Sequence, residues 1–96
     1  MFGFHEDAHA QVYGGKTHHS SWSHELIAGA AAFEAMKSYE RQSGGNHQLS
    51  KEIFAGLAAT EADKLFETHG LDGLDRERAK HEAQKQAEAL YDQKYS

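Results

Sequence analysis

SHELIAGAAAFEAMKSYE, residues 23–40, returns 27 positions later as SKEIFAGLAATEADKLFE, residues 50–67. Ten of the eighteen aligned positions are identical, and Leu26/Ile53, Ile27/Phe54 and Tyr39/Phe66 keep their apolar character. Self-similarity at a fixed offset marks one supersecondary unit used twice. Each copy opens with a Ser whose hydroxyl can accept hydrogen bonds from the free N–H groups of a first helical turn. A Glu follows two residues on, where the positive end of the helix dipole favours it. The chain has no Pro to interrupt either run. The pattern predicts helices over about 22–42, ending before Gly44 and Gly45, and about 51–69, ending at Gly70.

Within the first copy Trp22, Leu26, Ile27, Ala30, Phe33, Met36 and Tyr39 recur at three- and four-residue steps. In the second, Ile53, Phe54, Leu57, Ala58, Leu65 and Phe66 do the same, so each helix has one apolar face. Beside these faces run alanines four apart, together with Gly29 and Gly56. A Gly inside a helix costs about 0.5 to 1 kcal/mol relative to Ala, so one at the matching site of both copies suggests that close backbone approach offsets the cost. The expectation is a pseudo-symmetric antiparallel hairpin turning over Ser43 to Leu49, its helices close together because their facing side chains are short.

Working outward, Leu71 to Ser96 has Asp72 and Asp75 as alternative N-caps and places Leu71, Leu74, Ala79, Ala83, Ala87, Leu90 and Tyr91 on one face. This predicts a third helix over about 73–94, lying across the hairpin or pairing with a second copy of the chain. Residues 1–21 mix His, Gly, Gln and Ser with scattered aromatics and show no sustained period, so they read as an irregular arm with at most a turn of helix near Glu6 to Val12. The fold expected is all-α: a small bundle of three main helices, the first two an internal repeat, plus a His-rich N-terminal arm, in one domain spanning 1–96.

Ninety-six residues bury only about two thirds of the surface their unfolded chain exposes, which permits one core. Ala and Gly outnumber the large aliphatics, so that core should be thin and alanine-rich, and self-association would add to its stability. With no Cys, disulfides and thiol chemistry are excluded. No basic, apolar leader-like run opens the sequence, which gives a cytoplasmic address by default, and no stretch approaches the roughly 20 apolar residues of a membrane span. A net charge of −5 disfavours nucleic acid as a partner. Eight His residues would carry that charge to +3 if all were protonated.

HEDAH, residues 5–9, matches HExxH, in which two His one helical turn apart bind zinc and the Glu serves as base. Its context argues against a protease, since too little chain remains to build a substrate cleft beside it. A non-catalytic site for zinc or another divalent metal is a softer expectation, with His5, His9, His18 and His19 as ligands and His24 close by. No nucleophile elbow, phosphate-binding loop or dinucleotide fingerprint is present. Glu34 and Glu61, equivalent in the repeat, could face each other across the hairpin or lie on solvated surface. Trp22, Leu26, Phe33, Phe54, Leu57 and Phe66 are the candidate core or interface residues, with Trp22 placed to staple the arm to the first helix or to seal an oligomer contact.

The runs SHELIAGAAAFEAMKSYE and AKHEAQKQAEALYD (79–92) resemble the small fungal CipC-like, concanamycin-induced antibiotic-response proteins over about residues 9–95. The resemblance implies a stress- or condition-responsive intracellular protein and brings no catalytic residue, substrate or cofactor. The function expected is therefore non-enzymatic, acting by self-association as a homo-oligomer or by binding another protein. The alternative is a His-dependent metal-binding or pH-responsive protein.

Overall fold

The computed structural model describes residues 3–14, 22–43, 50–71 and 73–95. Its order is α1 (Gly3–Tyr13), α2 (His24–Ser43), α3 (Lys51–His69) and α4 (Arg76–Tyr95). The three helices expected from periodicity are present within two or three residues of the predicted bounds. Their ends form as the sequence implies. Ser23 Oγ accepts from the Leu26 N–H and Ser50 Oγ from the Ile53 N–H, at 3.1 and 3.2 Å. Of the two candidate caps of α4, Asp75 accepts from the Arg78 N–H at 3.2 Å, whereas Asp72 lies outside the described residues. Gly70 closes α3 at φ 59°, a conformation that costs a side chain Cβ strain, and donates its N–H to Phe66 O.

α2 and α3 run antiparallel, as expected. Trp22 meets His69 at one end, with ring centroids 5.0 Å apart, and Tyr39 meets Phe54 near the other, at 5.7 Å. The turn anticipated between them falls mostly outside the described residues. α4 returns alongside both. His24 Nε2 accepts from the Asp75 N–H at 2.8 Å, tying the starts of α2 and α4 together, and Lys94 pairs with Glu40 at their far ends. Against α3, Arg76 bridges Asp63 and Glu67, and Lys51 pairs with Asp92. The result is an up-down-up bundle of α2, α3 and α4.

The core is alanine-rich, and its largest fully buried side chains are Tyr39, Phe54, Ile27 and Leu90. Ala79, Ala83 and Ala87 form a stripe at four-residue spacing along the buried side of α4, and short side chains at that spacing let a helix sit low on its neighbours. Phe54 is held between Tyr39 and Tyr91.

Two expectations are corrected. The N-terminal arm is not irregular over Gly3–Tyr13: it is an 11-residue helix, making four helices among the described residues. No sustained period stood out there because the apolar face is only three residues, Phe4, Ala8 and Val12, four apart. Nor are the two repeat helices equivalent in their surroundings. Every residue from Ile27 to Ala32 is buried, so α2 is enclosed along that stretch, whereas α3 leaves Glu52, Ile53, Gly56 and Thr60 exposed. The difference is α1, which packs onto α2.

Candidate functional site

α1 is an oblique strap. At its start His5 Nε2 donates to Gln86 Oε1 of α4 at 2.6 Å. Beside it Phe4, and in the middle of the helix Ala8, lie over Gly29 of α2, where a Cβ would come 2.7 Å from Phe4 Cε2 and 3.4 Å from Ala8 Cβ. At its end Tyr13 donates to Glu61 Oε1 of α3 at 3.2 Å. Three polar or apolar fixings thus bind one short helix to all three members of the bundle. Close approach at a repeat glycine is found at Gly29, although the neighbour is α1 and not the sister helix. At Gly56 it is absent, since nothing lies within 4 Å of a Cβ built there.

The densest polar group sits under the second half of the strap. His9 Nε2 donates to Glu34 Oε1 at 2.7 Å, and Arg41 approaches the other carboxylate oxygen at 3.9 Å. The His9 ring stacks on Tyr13 at 4.7 Å and meets Phe33 edge-on at 5.2 Å. Lys64 flanks Glu61 at 3.5 Å. Glu34 and Glu61 do not lie free in solvent: each takes a different residue of α1, Glu34 His9 and Glu61 Tyr13. Burial pushes the Tyr13 phenol well above its ordinary value, and the negative charges of Glu61 and Glu34 raise it further.

Beside Tyr13 a groove of about 320 Å³ opens between the end of α1 and the last turns of α3. Val12 and Leu65 supply apolar walls; Glu61, Lys64, Thr68 and His69 supply polar ones. This lies at the small end of ligand-pocket volumes, roughly 300 to 1,000 Å³. A carboxylate, an ammonium, a hydroxyl and an imidazole are the groups available there. Glu61 is already engaged by Tyr13 and Lys64, and His69 meets the Trp22 ring edge-on.

The HEDAH pair does lie on a helix, one turn apart, but its imidazoles are turned to different neighbours. His5 and His9 each use Nε2 as a donor, to α4 and α2 respectively. His24 accepts a backbone N–H through its own Nε2, and His18 and His19 lie outside the described residues. Among the described residues no three His, Asp or Glu side chains form a group able to hold a metal.

The candidate core residues divide into two sets. Trp22, Phe54 and Phe66 are buried; Leu26, Phe33 and Leu57 are partly buried against the core. Trp22 reaches the far end of α3 through His69. Ile53, assigned above to the apolar face of its helix, is instead 51% exposed. Sequence reasoning missed Phe4, Ala8, Val12 and Tyr13 as strap residues. The four-residue spacing of Phe4, Ala8 and Val12 was the available signal, obscured by the polar side chains between them.

Among the described residues no helix is long and apolar enough to cross a membrane. No curated protein and no solved structure matches the chain. The model of the family described as virulence factor CipC-like matches residues 8–94, from the middle of the strap almost to the end of α4. Covering α2, α3 and nearly all of α4 together with Ala8, His9 and Tyr13 of the strap, that match places the chain in the CipC-like family.

Proposed function

We propose that this chain is a non-enzymatic helical protein that works by associating with itself or with another protein through apolar helix surface. The observation that carries the reading is Ile53, half exposed on a helix whose Phe54, Leu65 and Phe66 are buried. The side chains with chemical potential support it from the other direction. His9, Glu34, Tyr13 and Glu61 are engaged in fastening one helix to the next, which is a structural employment. A cytoplasmic, condition-responsive setting belongs to the same reading and rests on the family resemblance. Sedimentation equilibrium of the full chain tests self-association: a mass that rises with concentration supports it, and a monomer throughout, with no protein partner retained on affinity capture, refutes the reading.

A second reading is favoured by one specific feature: two of the strap's anchors, His5 and His9, are imidazoles. Imidazole is the side chain that exchanges protons near neutral pH and ligates divalent metals, and here it holds α1 to both α4 and α2. Zinc addition, or a fall from about pH 7.5 to about pH 5.5, should then shift the thermal melt. A His5→Gln, His9→Gln double variant with the same shifts as wild type would remove this reading.

A further inference from the structure

The internal repeat shows what its helix needs in order to hold its place. α2 carries α1 at Gly29, over which Phe4 and Ala8 lie, and at Phe33 and Glu34, which meet His9. The equivalent α3 positions are Gly56, Thr60 and Glu61. Gly56 and Thr60 are exposed, and a Cβ built on Gly56 meets nothing within 4 Å. Yet α3 keeps Phe54, Leu65 and Phe66 buried. A helix of this design thus stays in the bundle with that side in water, and α2 has no need of its cover to do the same.

The cover itself is lightly held. Its 11 residues fall short of the roughly 12 to 15 that an isolated helix needs in water, so α1 owes its form to docking. Its fully buried side chains are small, Ala8 and Val12, while Phe4 and Tyr13 toward its two ends are 45% and 39% exposed. It brings no Lys or Arg to the contact, and its polar fixings are the hydrogen bonds of His5, His9 and Tyr13. The largest fully buried side chains, Tyr39, Phe54, Ile27 and Leu90, all belong to α2, α3 and α4. Segments with few buried apolar contacts open at a lower cost than the whole fold.

We infer that α1 is a latch: it lifts from α2 as one unit while α2, α3 and α4 stay folded. Lifting uncovers Gly29 and Phe33 and releases the carboxylates of Glu34 and Glu61 from α1, giving α2 the open side that α3 already has. The device belongs to the single chain and is independent of whether that chain associates.

Native-state amide hydrogen exchange of the full chain, followed residue by residue by NMR, tests the latch. The amides of Ala8 to Val12 should exchange at least about a hundredfold faster than those of Ala83 to Leu90 in α4. Phe54→Leu weakens the core between Tyr39 and Tyr91, so it should speed exchange in α4 several-fold and leave the α1 rates unchanged, because the latch opens with that core intact. Sub-denaturing urea supplies the same contrast in wild type, accelerating α4 steeply and α1 little, since the slope follows the surface exposed on opening. Phe4→Ala removes the contact at one end of α1 and should speed every amide from Ala8 to Val12 by the same factor. Exchange in α1 as slow as in α4, or Phe54→Leu or urea accelerating both groups alike, would show that α1 opens only when the whole chain unfolds. Acceleration by Phe4→Ala confined to the amides nearest residue 4 would show an end that frays and not a unit that lifts. Any of these results overturns the inference.

Discussion

Gly29→Ala and Gly56→Ala are the same substitution at equivalent points of a duplicated helix, and they should differ in outcome. In a solvated helix interior, Gly to Ala gains about 0.5 to 1 kcal/mol, chiefly by reducing the freedom lost on folding. Gly56 has open space around the new methyl, so it should show that full gain. At Gly29 the methyl would sit 2.7 Å from Phe4 Cε2 and 3.2 Å from Cζ, and the ring must swing away. Phe4 is 45% exposed. Since a fully buried Phe contributes about 1.5 to 3 kcal/mol, roughly 1 kcal/mol of half-buried contact is at stake. The propensity gain and the lost contact then nearly cancel, leaving Gly29→Ala close to neutral and about 1 kcal/mol below Gly56→Ala. For a domain of this size that separates the two melting temperatures by about 4 to 8 °C. Urea denaturation of both variants, each also in a Phe4→Ala background and at concentrations low enough to keep the chain monomeric, reads the effect directly. With the ring removed, Gly29→Ala should recover its gain, whereas Gly56→Ala should be indifferent to Phe4. Equal gains at the two glycines, additive with Phe4→Ala to within about 0.3 kcal/mol, would refute the claim that α1 lies tightly on Gly29.

Three further outcomes are expected. Phe54→Ala empties the fully buried space between Tyr39 and Tyr91 and should cost about 3 to 5 kcal/mol by chemical denaturation, with Phe54→Leu markedly milder. Ser23→Ala and Ser50→Ala each remove the acceptor at a helix start and should each cost about 1 kcal/mol; Ser→Gly at the same sites should cost only a few tenths. Below about pH 10 Tyr13 holds its proton both folded and unfolded, but above it only the unfolded chain readily releases it. Stability should therefore fall as pH rises past that point, modestly because the ring is partly exposed, and Tyr13→Phe should flatten the alkaline limb of a melting curve taken against pH.

The likeness of 23–40 to 50–67, with the glycine at 70, made two helices, their Ser caps, the end of the second and the antiparallel pairing legible, because those properties follow from local hydrogen bonding and from side chains one turn apart. The buried face of α4 was legible for the same reason, its Leu and Ala recurring at helical steps up to Leu90. Less of the candidate site was readable. His5 and His9 stood out as a spaced pair, but a spacing of four says only that two rings share a helix face, not which helices wait opposite them. Gln86 and Glu34 are 81 and 25 residues away, and no local pattern relates such positions.

What the amino-acid order settled by itself is that one helix was written twice. What only the assembled chain decided is that the two copies lead different lives: α1 crosses the first, enclosing Gly29 beneath Phe4 and drawing Glu34 to His9, while Gly56 faces open space. A helix's periodicity specifies which of its faces can be buried, but the element that arrives to bury it is chosen by the packing of the whole.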